Sequence, residues 1–234
     1  MRVLFVTDSL GAPRPAVPWE FTFPALLRRR FAGREDIFFC RESRRGSTTA
    51  CLRDPELLPS YLPDVVIVQL GIVDCVPRIF TKLESALLAR LPERIRNILI
   101  RLGKHVRKRS ERRAYVKPDA CRRNWQAFLD QADEMDCRVL VIPVALPGKV
   151  FSADNPGAEK SIRQYNESVG CLAAGSPRAA VLPSWDREEE SYDDLFLPDD
   201  GYHLSKRGHE RMAGALYPIL EEELREKDRS QSKL

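Results

Sequence analysis

Four short apolar runs punctuate the chain: RVLFVT at 2–7, DIFFC at 36–40, DVVIVQL at 64–70 and RVLVIPV at 138–144, with a weaker fifth, AAVLP, at 179–183. Their hydrophobicity is nearly continuous rather than alternating, which is the pattern of strands covered on both faces, as in a parallel sheet. Helical spacing fills the intervals. Residues 19–31 carry Phe23, Leu26, Leu27 and Phe31; residues 119–136 carry Trp125, Phe128, Leu129 and Ala132; residues 158–174 carry Ile162, Tyr165, Val169 and Leu172. A last helix is predicted over about 205–225, with Met212, Leu216, Ile219, Leu220 and Leu224 as its apolar side, Ser205 as its N-cap and Gly208 as a mild cost near its start. Strand alternating with helix predicts an α/β protein, a three-layer α/β/α sandwich about a parallel five-stranded sheet. With no internal repeat and no low-complexity linker, one domain over 1–234 is expected, its polar last nine residues, 226–234, fraying.

One stretch breaks the rhythm. Residues 81–118 join the third strand to the helix before the fourth and are longer than a single crossover needs, so they read as an insertion. Leu91, Ile95, Ile98, Leu102 and Val106 recur there at helical spacing, amid Arg94, Arg96, Arg101, Lys104, His105, Arg107, Lys108, Arg109, Arg112 and Arg113. A helix with one apolar stripe and a charged face is ordinarily a surface helix. So dense a run of cations also suits an anionic partner through residues 94–113: a lipid headgroup surface, an acidic glycan or a phosphate-linked substrate.

Composition narrows the class. The 234 residues are 43% hydrophobic and 31% charged, enough to bury a sizeable core without disulfides or metals, and the net charge is only +4. No aromatic interleaving or binding motif accompanies the basic run, so nucleic acid is not the expected partner. Six single cysteines (Cys40, Cys51, Cys75, Cys121, Cys137, Cys171) show no zinc or disulfide spacing, and neither metal nor cofactor is expected. The first apolar stretch is too short for the core of a signal peptide, and no run approaches the length of a membrane span, so a soluble, cytoplasmic protein is expected.

Chemistry concentrates at both ends of the chain. Ser9 follows the first strand, at the carboxyl edge where open α/β sheets bind ligands. A serine hydroxyl needs a base, and of the three histidines His105 lies in the insertion and His209 inside the last helix. His203 sits in the loop PDDGYHLS, three residues after Asp200. That spacing lets a carboxylate fix the imidazole tautomer while the other ring nitrogen faces a serine. Each element alone is weak, since Asp-Ser after a strand is usually a turn or cap. Their conjunction in the order Ser…Asp…His is what points to a nucleophile.

TDSLG at 7–11, the glycine of RRGST at 44–48, VVIVQLGIVD at 65–74 and DGYH at 200–203 resemble, in order, the four sequence blocks of the SGNH or GDSL hydrolases, and YNESV at 165–169 is similar to a further feature of that family. The resemblance implies a flavodoxin-like fold. It implies Ser9 as nucleophile and oxyanion-hole donor through its backbone N–H, Gly46 as a second backbone donor, His203 as general base then acid, and Asp200 as its partner. Two departures stand out. Thr7 replaces the first glycine of the first block, and Val73 stands where the third block has an asparagine that donates to the oxyanion. Arg78 or Arg45 is then a candidate substitute donor. Asp74, retained, either caps the segment after it or binds a substrate hydroxyl.

The expected activity is ester hydrolysis, an O-acyl or acetyl esterase working through a covalent acyl-enzyme on a small ester or acylated carbohydrate, its rate rising with pH near the free imidazole value of about 6.5. The alternative is an O-acyltransferase, or a catalytically weakened binding protein for an anionic glycan or lipid-linked intermediate. A third reading leaves Ser9 as a helix cap and His203 as a structural histidine.

Overall fold

The computed structural model describes residues 1–77, 80, 84, 87–107, 114–185 and 187–231. The five apolar runs form strands β1 (Arg2–Thr7), β2 (Phe38–Ser43), β3 (Val65–Gln69), β4 (Arg138–Val141) and β5 (Ala179–Val181). All neighbours are parallel, in the order β2-β1-β3-β4-β5. The helices are α1 (Phe23–Arg30), α2 (Leu57–Tyr61), α3 (Ile72–Cys75), α4 (Glu93–Arg107), α5 (Pro118–Glu134), α6 (Lys149–Asp154), α7 (Ala158–Ala174) and α8 (Lys206–Gln231).

Every residue of β3 is buried, because helices cover both faces of the sheet. On one face Leu4, Val6, Val66, Val68, Val139 and Val141 meet Trp125, Phe128 and Leu129 of α5 and Ile162 and Val169 of α7. On the other, Val3, Phe5, Val65, Ile67 and Leu140 meet Phe23 and Leu27 of α1 and Met212, Leu216, Leu220 and Leu224 of α8. Edge strand β2 is covered less well and is shifted toward Ser43 relative to the apolar run. Ile37 is buried ahead of it and Phe38 is 60% exposed, so pairing with β1, from Arg2↔Phe38 to Thr7↔Ser43, sets its limits rather than hydrophobicity.

The α1 region begins as a 3-10 turn, Trp19–Phe21, and becomes α-helical only at Phe23 with Pro24 in the first turn, where a missing N–H is harmless. Ser205 caps α8 as expected, its Oγ accepting from the Gly208 N–H at 3.2 Å. Gly208 has a packing reason: a β-carbon there would lie 2.2 Å from the Leu195 carbonyl oxygen. The stretch expected to fray from about 226 is helical to Gln231, held in part by Lys227 Nζ to Asp64 Oδ1 at 2.6 Å.

His209, on the second turn of α8, joins that helix to α1: the Phe23 N–H donates to its Nδ1 at 3.2 Å. Burial lowers its pKa from 6.5 to about 4. The unfolded chain therefore takes up this proton between those values while the folded one does not, so the stabilisation is fully present above 6.5 and is lost as pH falls toward 4. The shift corresponds to about 3 kcal/mol. In His209→Gln, which keeps an acceptor but does not titrate, the fall in unfolding free energy across that window should shrink by about that amount. Equal pH slopes for variant and wild type in denaturant titrations would contradict it.

Candidate active site

In the strand order 2-1-3-4-5 the chain turns in opposite directions after β1 and β3, which opens a crevice at their carboxyl ends. Ser9 sits there, opening a 3-10 turn, Ser9–Gly11, that Asp8 caps by accepting the Leu10 N–H at 2.8 Å. Asp8 is itself tied to the end of β3 by its N–H to Gln69 O at 3.1 Å. Gly11 permits the tight return, since a β-carbon would lie 2.3 Å from Thr7 Oγ1. Thr7, buried, reaches the hydroxyl of Ser43 at 2.5 Å and so spends its polar group on the edge strand.

The loop 197–203 brings His203 to this point. Gly201 and Asp200 donate their N–H groups to Leu197 O at 2.8 and 3.3 Å, Leu197 donates to His203 O at 2.7 Å, and Gly148 donates to Gly201 O at 2.7 Å. Gly201 has φ +68°, in the region glycine occupies without strain. Ser9 Oγ lies 3.0 Å from His203 Nε2, and His203 Nδ1 lies 2.7 Å from Asp200 Oδ2. The other carboxylate oxygen accepts from the N–H groups of Tyr202 and His203 at 3.1 and 2.9 Å. Burial raises the Asp200 pKa, but these hydrogen bonds outweigh it and hold the carboxyl below its ordinary value, hence ionised. Tyr202 packs on the imidazole, ring centroids 3.8 Å apart, and Phe151 packs on Tyr202 at 4.7 Å.

Arg14, which the sequence reasoning missed, also reaches this centre. Its guanidinium contacts His203 Nε2, the nitrogen that faces Ser9. Arg14 and Val17 exchange two backbone hydrogen bonds of 2.8 and 3.0 Å around Pro15, a tight turn that aims the half-buried side chain inward. Burial lowers its pKa, opposed by Tyr202, Asp200 and Asp8, and its Nε is buried without an acceptor among the described residues. Because a guanidinium only donates, Nε2 must accept, which puts the imidazole proton on Nδ1 toward Asp200. The sequence signal was an arginine between two prolines five residues after Ser9.

The remaining expected residues divide. Gly46, φ +73°, lies in an exposed turn closed by Ser47 N–H to Arg44 O at 3.0 Å, and Arg44 N–H to Thr7 O at 3.1 Å holds that turn beside the end of β1. Arg45 donates to Pro13 O at 2.6 Å. Asp74 is buried and clasps Thr49, accepting from its N–H at 2.9 Å and its hydroxyl at 2.6 Å. It therefore anchors a preceding segment to the start of α3. Val73 is buried in the apolar cluster and its side chain offers no donor. Arg78 lies outside the described residues. In YNESV, Tyr165 donates to Leu70 O at 2.9 Å and accepts from Trp125 Nε1 at 3.0 Å, while the Asn166 amide brackets Val144 at 2.9 and 2.8 Å. Tyr165 also explains Gly71, φ +129°, where a β-carbon would lie 2.3 Å from its ring.

Fold and site have the form of an α/β ester hydrolase. The chain belongs to the GDSL-like lipase/acylhydrolase family, whose model matches residues 6–211. Among solved structures, that of TesA is similar at 20% identity and TM-score 0.64 over 95% of this chain and 99% of that one. A lipase/acylhydrolase from Enterococcus faecalis is 16% identical, TM-score 0.63, over 94% of each chain. A catalytic mutant of an acetylxylan esterase from Geobacillus stearothermophilus is 16% identical, TM-score 0.61, over 92% of this chain and 91% of that one. Compared by sequence with curated proteins, the chain has no match.

Proposed function

We infer that this esterase of the SGNH type works through Ser9, His203 and Asp200, and that the observation carrying this is the continuous chain from Ser9 Oγ to His203 Nε2 at 3.0 Å and from Nδ1 to Asp200 at 2.7 Å. Ser9 Oγ attacks the ester carbonyl as its proton passes to Nε2. The tetrahedral oxyanion collapses to an acyl-enzyme, and Nε2 returns the proton to the departing alcohol. Water then repeats the sequence and frees the acid. The acetylxylan esterase neighbours support a small acyl group, acetyl above all, on a carbohydrate or other small alcohol. A cytoplasmic setting belongs to the same reading, on the scattered single cysteines of the sequence.

The oxyanion is received by the backbone N–H groups of Ser9 and Gly46 and, in place of the asparagine that Val73 displaces, by Arg14. In the resting enzyme Arg14 competes with the Ser9 hydroxyl for Nε2. An ester carbonyl entering beside Ser9 offers the guanidinium a better acceptor, and the charge that develops there strengthens the contact. Arg14→Ala should lower kcat for p-nitrophenyl acetate by about 10²- to 10³-fold with a smaller change in KM. An unchanged or raised kcat would make Arg14 a plug on the base instead of a donor. A wild-type enzyme that cleaves no acetyl, butyryl or acetyl-sugar ester would sink the hydrolase reading itself.

Val73 also favours a second reading, transfer of the acyl group to a sugar hydroxyl, since weakened oxyanion binding slows attack by water unless a bound acceptor replaces it. Acetylated acceptor formed faster than free acetate would select that reading.

A further inference from the structure

The helix α4 is present where helical spacing predicts it, but its apolar stripe is not packed on the domain. Ile95, Ile98, Leu102 and Val106 are 48%, 58%, 61% and 64% exposed, and Leu91 and Leu99 are exposed beside them. Steps of three, four and four put these four on one face, within an arc of roughly 100° that also takes Leu99. Arg94 and Arg101, both exposed, fall on the border of that arc. Over 94–113 the sequence carries nine Lys and Arg residues against a single acid, Glu111.

We propose that α4 lies in the headgroup region of an anionic lipid bilayer, its aliphatic stripe inserted among the acyl chains and its arginines on the phosphates. Charge decides among the occupants such a face could take. A second copy packed symmetrically on it would bring two cationic borders together, a repulsive arrangement. A nucleic acid would satisfy the arginines and leave the aliphatic stripe in water. Only an anionic bilayer offers apolar depth and negative charge at once. The helix has 15 residues, about 22 Å at 1.5 Å each, against about 30 Å of bilayer hydrocarbon. Among the described residues no helix is long and apolar enough to cross. The helix therefore rests on the bilayer and does not traverse it.

The topology adds a consequence. The insertion leaves the fold after α3, just beyond the carboxyl end of β3, and rejoins it at α5, which packs back along the sheet toward β4. It springs from the sheet edge that holds Ser9. Docking through α4 brings that edge toward the bilayer, so the ester substrate would be one carried on a lipid or held at its surface. This consequence rests on the hydrolase reading; the docking does not.

Flotation of the full chain with vesicles tests the docking, and the Ser9→Ala chain can be floated alongside to keep it separate from catalysis. Wild type and Ser9→Ala should bind phosphatidylcholine vesicles containing about one-third phosphatidylglycerol at least about tenfold more tightly than phosphatidylcholine alone, with the difference lost at about 0.5 M salt. Ile98→Asp with Leu102→Asp should abolish binding, and Arg94→Gln with Arg101→Gln should weaken it several-fold. All four side chains are exposed, so far-ultraviolet circular dichroism and hydrolysis of a soluble ester should not change. Three results would overturn the proposal. One is no binding to anionic vesicles at low salt. Another is binding that survives Ile98→Asp with Leu102→Asp, which would leave surface electrostatics alone. The third is a concentration-dependent dimer in sedimentation that these two substitutions dissociate while vesicles remain unbound, which would give the face to a second copy.

Discussion

Ser9→Ala is expected to lower kcat/KM for a small acetyl ester by about 10⁴- to 10⁶-fold, the range in which removing a serine nucleophile leaves only oxyanion binding and positioning. The residue contributes little to the fold. Among the described residues its hydroxyl makes one hydrogen bond, with His203 Nε2 at 3.0 Å, and the turn it opens is held by the Asp8 carboxylate and by Gly11. Unfolding free energy should accordingly change by no more than about 1 kcal/mol. A rate loss accompanied by an equal loss of folded protein would mean that Ser9 is only a structural residue of the turn. A loss of less than tenfold would place the nucleophile elsewhere.

Asp200→Asn carries the second largest effect, a fall in kcat of about 10⁴-fold. At residue 200 one oxygen accepts two backbone N–H groups, from Tyr202 and His203, and the other faces the imidazole. An asparagine must keep its single oxygen on those N–H groups, which turns its NH₂ toward Nδ1. Nδ1 then has to accept, the ring proton moves to Nε2, and the nitrogen facing Ser9 can no longer take a proton. The guanidinium of Arg14, which contacts Nε2, makes that tautomer worse still, because two donors would then face each other. The loss should persist across the whole pH range, since it arises from the tautomer rather than from a shifted titration. A variant whose activity returns at high pH would show that Asp200 acts through charge alone.

Much of this was legible in the sequence, and the reasons are physical. Strands β1, β3 and β4 announce themselves because helices cover both faces, leaving no polar alternation to confuse the pattern. Edge strand β2 is misplaced by about two residues for the opposite reason. The Asp200–His203 pair is readable because its geometry is local, three residues in one loop. Ser9 meets His203 across 194 positions, and only the order of elements in a parallel sheet makes that meeting inferable. Arg14 shows where such reasoning stops. Its contact with His203 spans 189 positions, and nothing in its neighbours but two prolines marks it as inward-facing. The bond of Asp74 to Thr49 is beyond such reading too, because it joins positions 25 apart through a segment with no periodic signal. In α4 the spacing gives the stripe but not whether the stripe is covered.

Whether Ser9 is an activated nucleophile is measured most directly by covalent capture. Wild type incubated with a fluorophosphonate, then digested and mapped by mass spectrometry, should carry one phosphonyl adduct on the peptide containing Ser9. Labelling should be lost in Ser9→Ala and strongly slowed in His203→Ala. An adduct elsewhere, or equal labelling of Ser9→Ala, would contradict it.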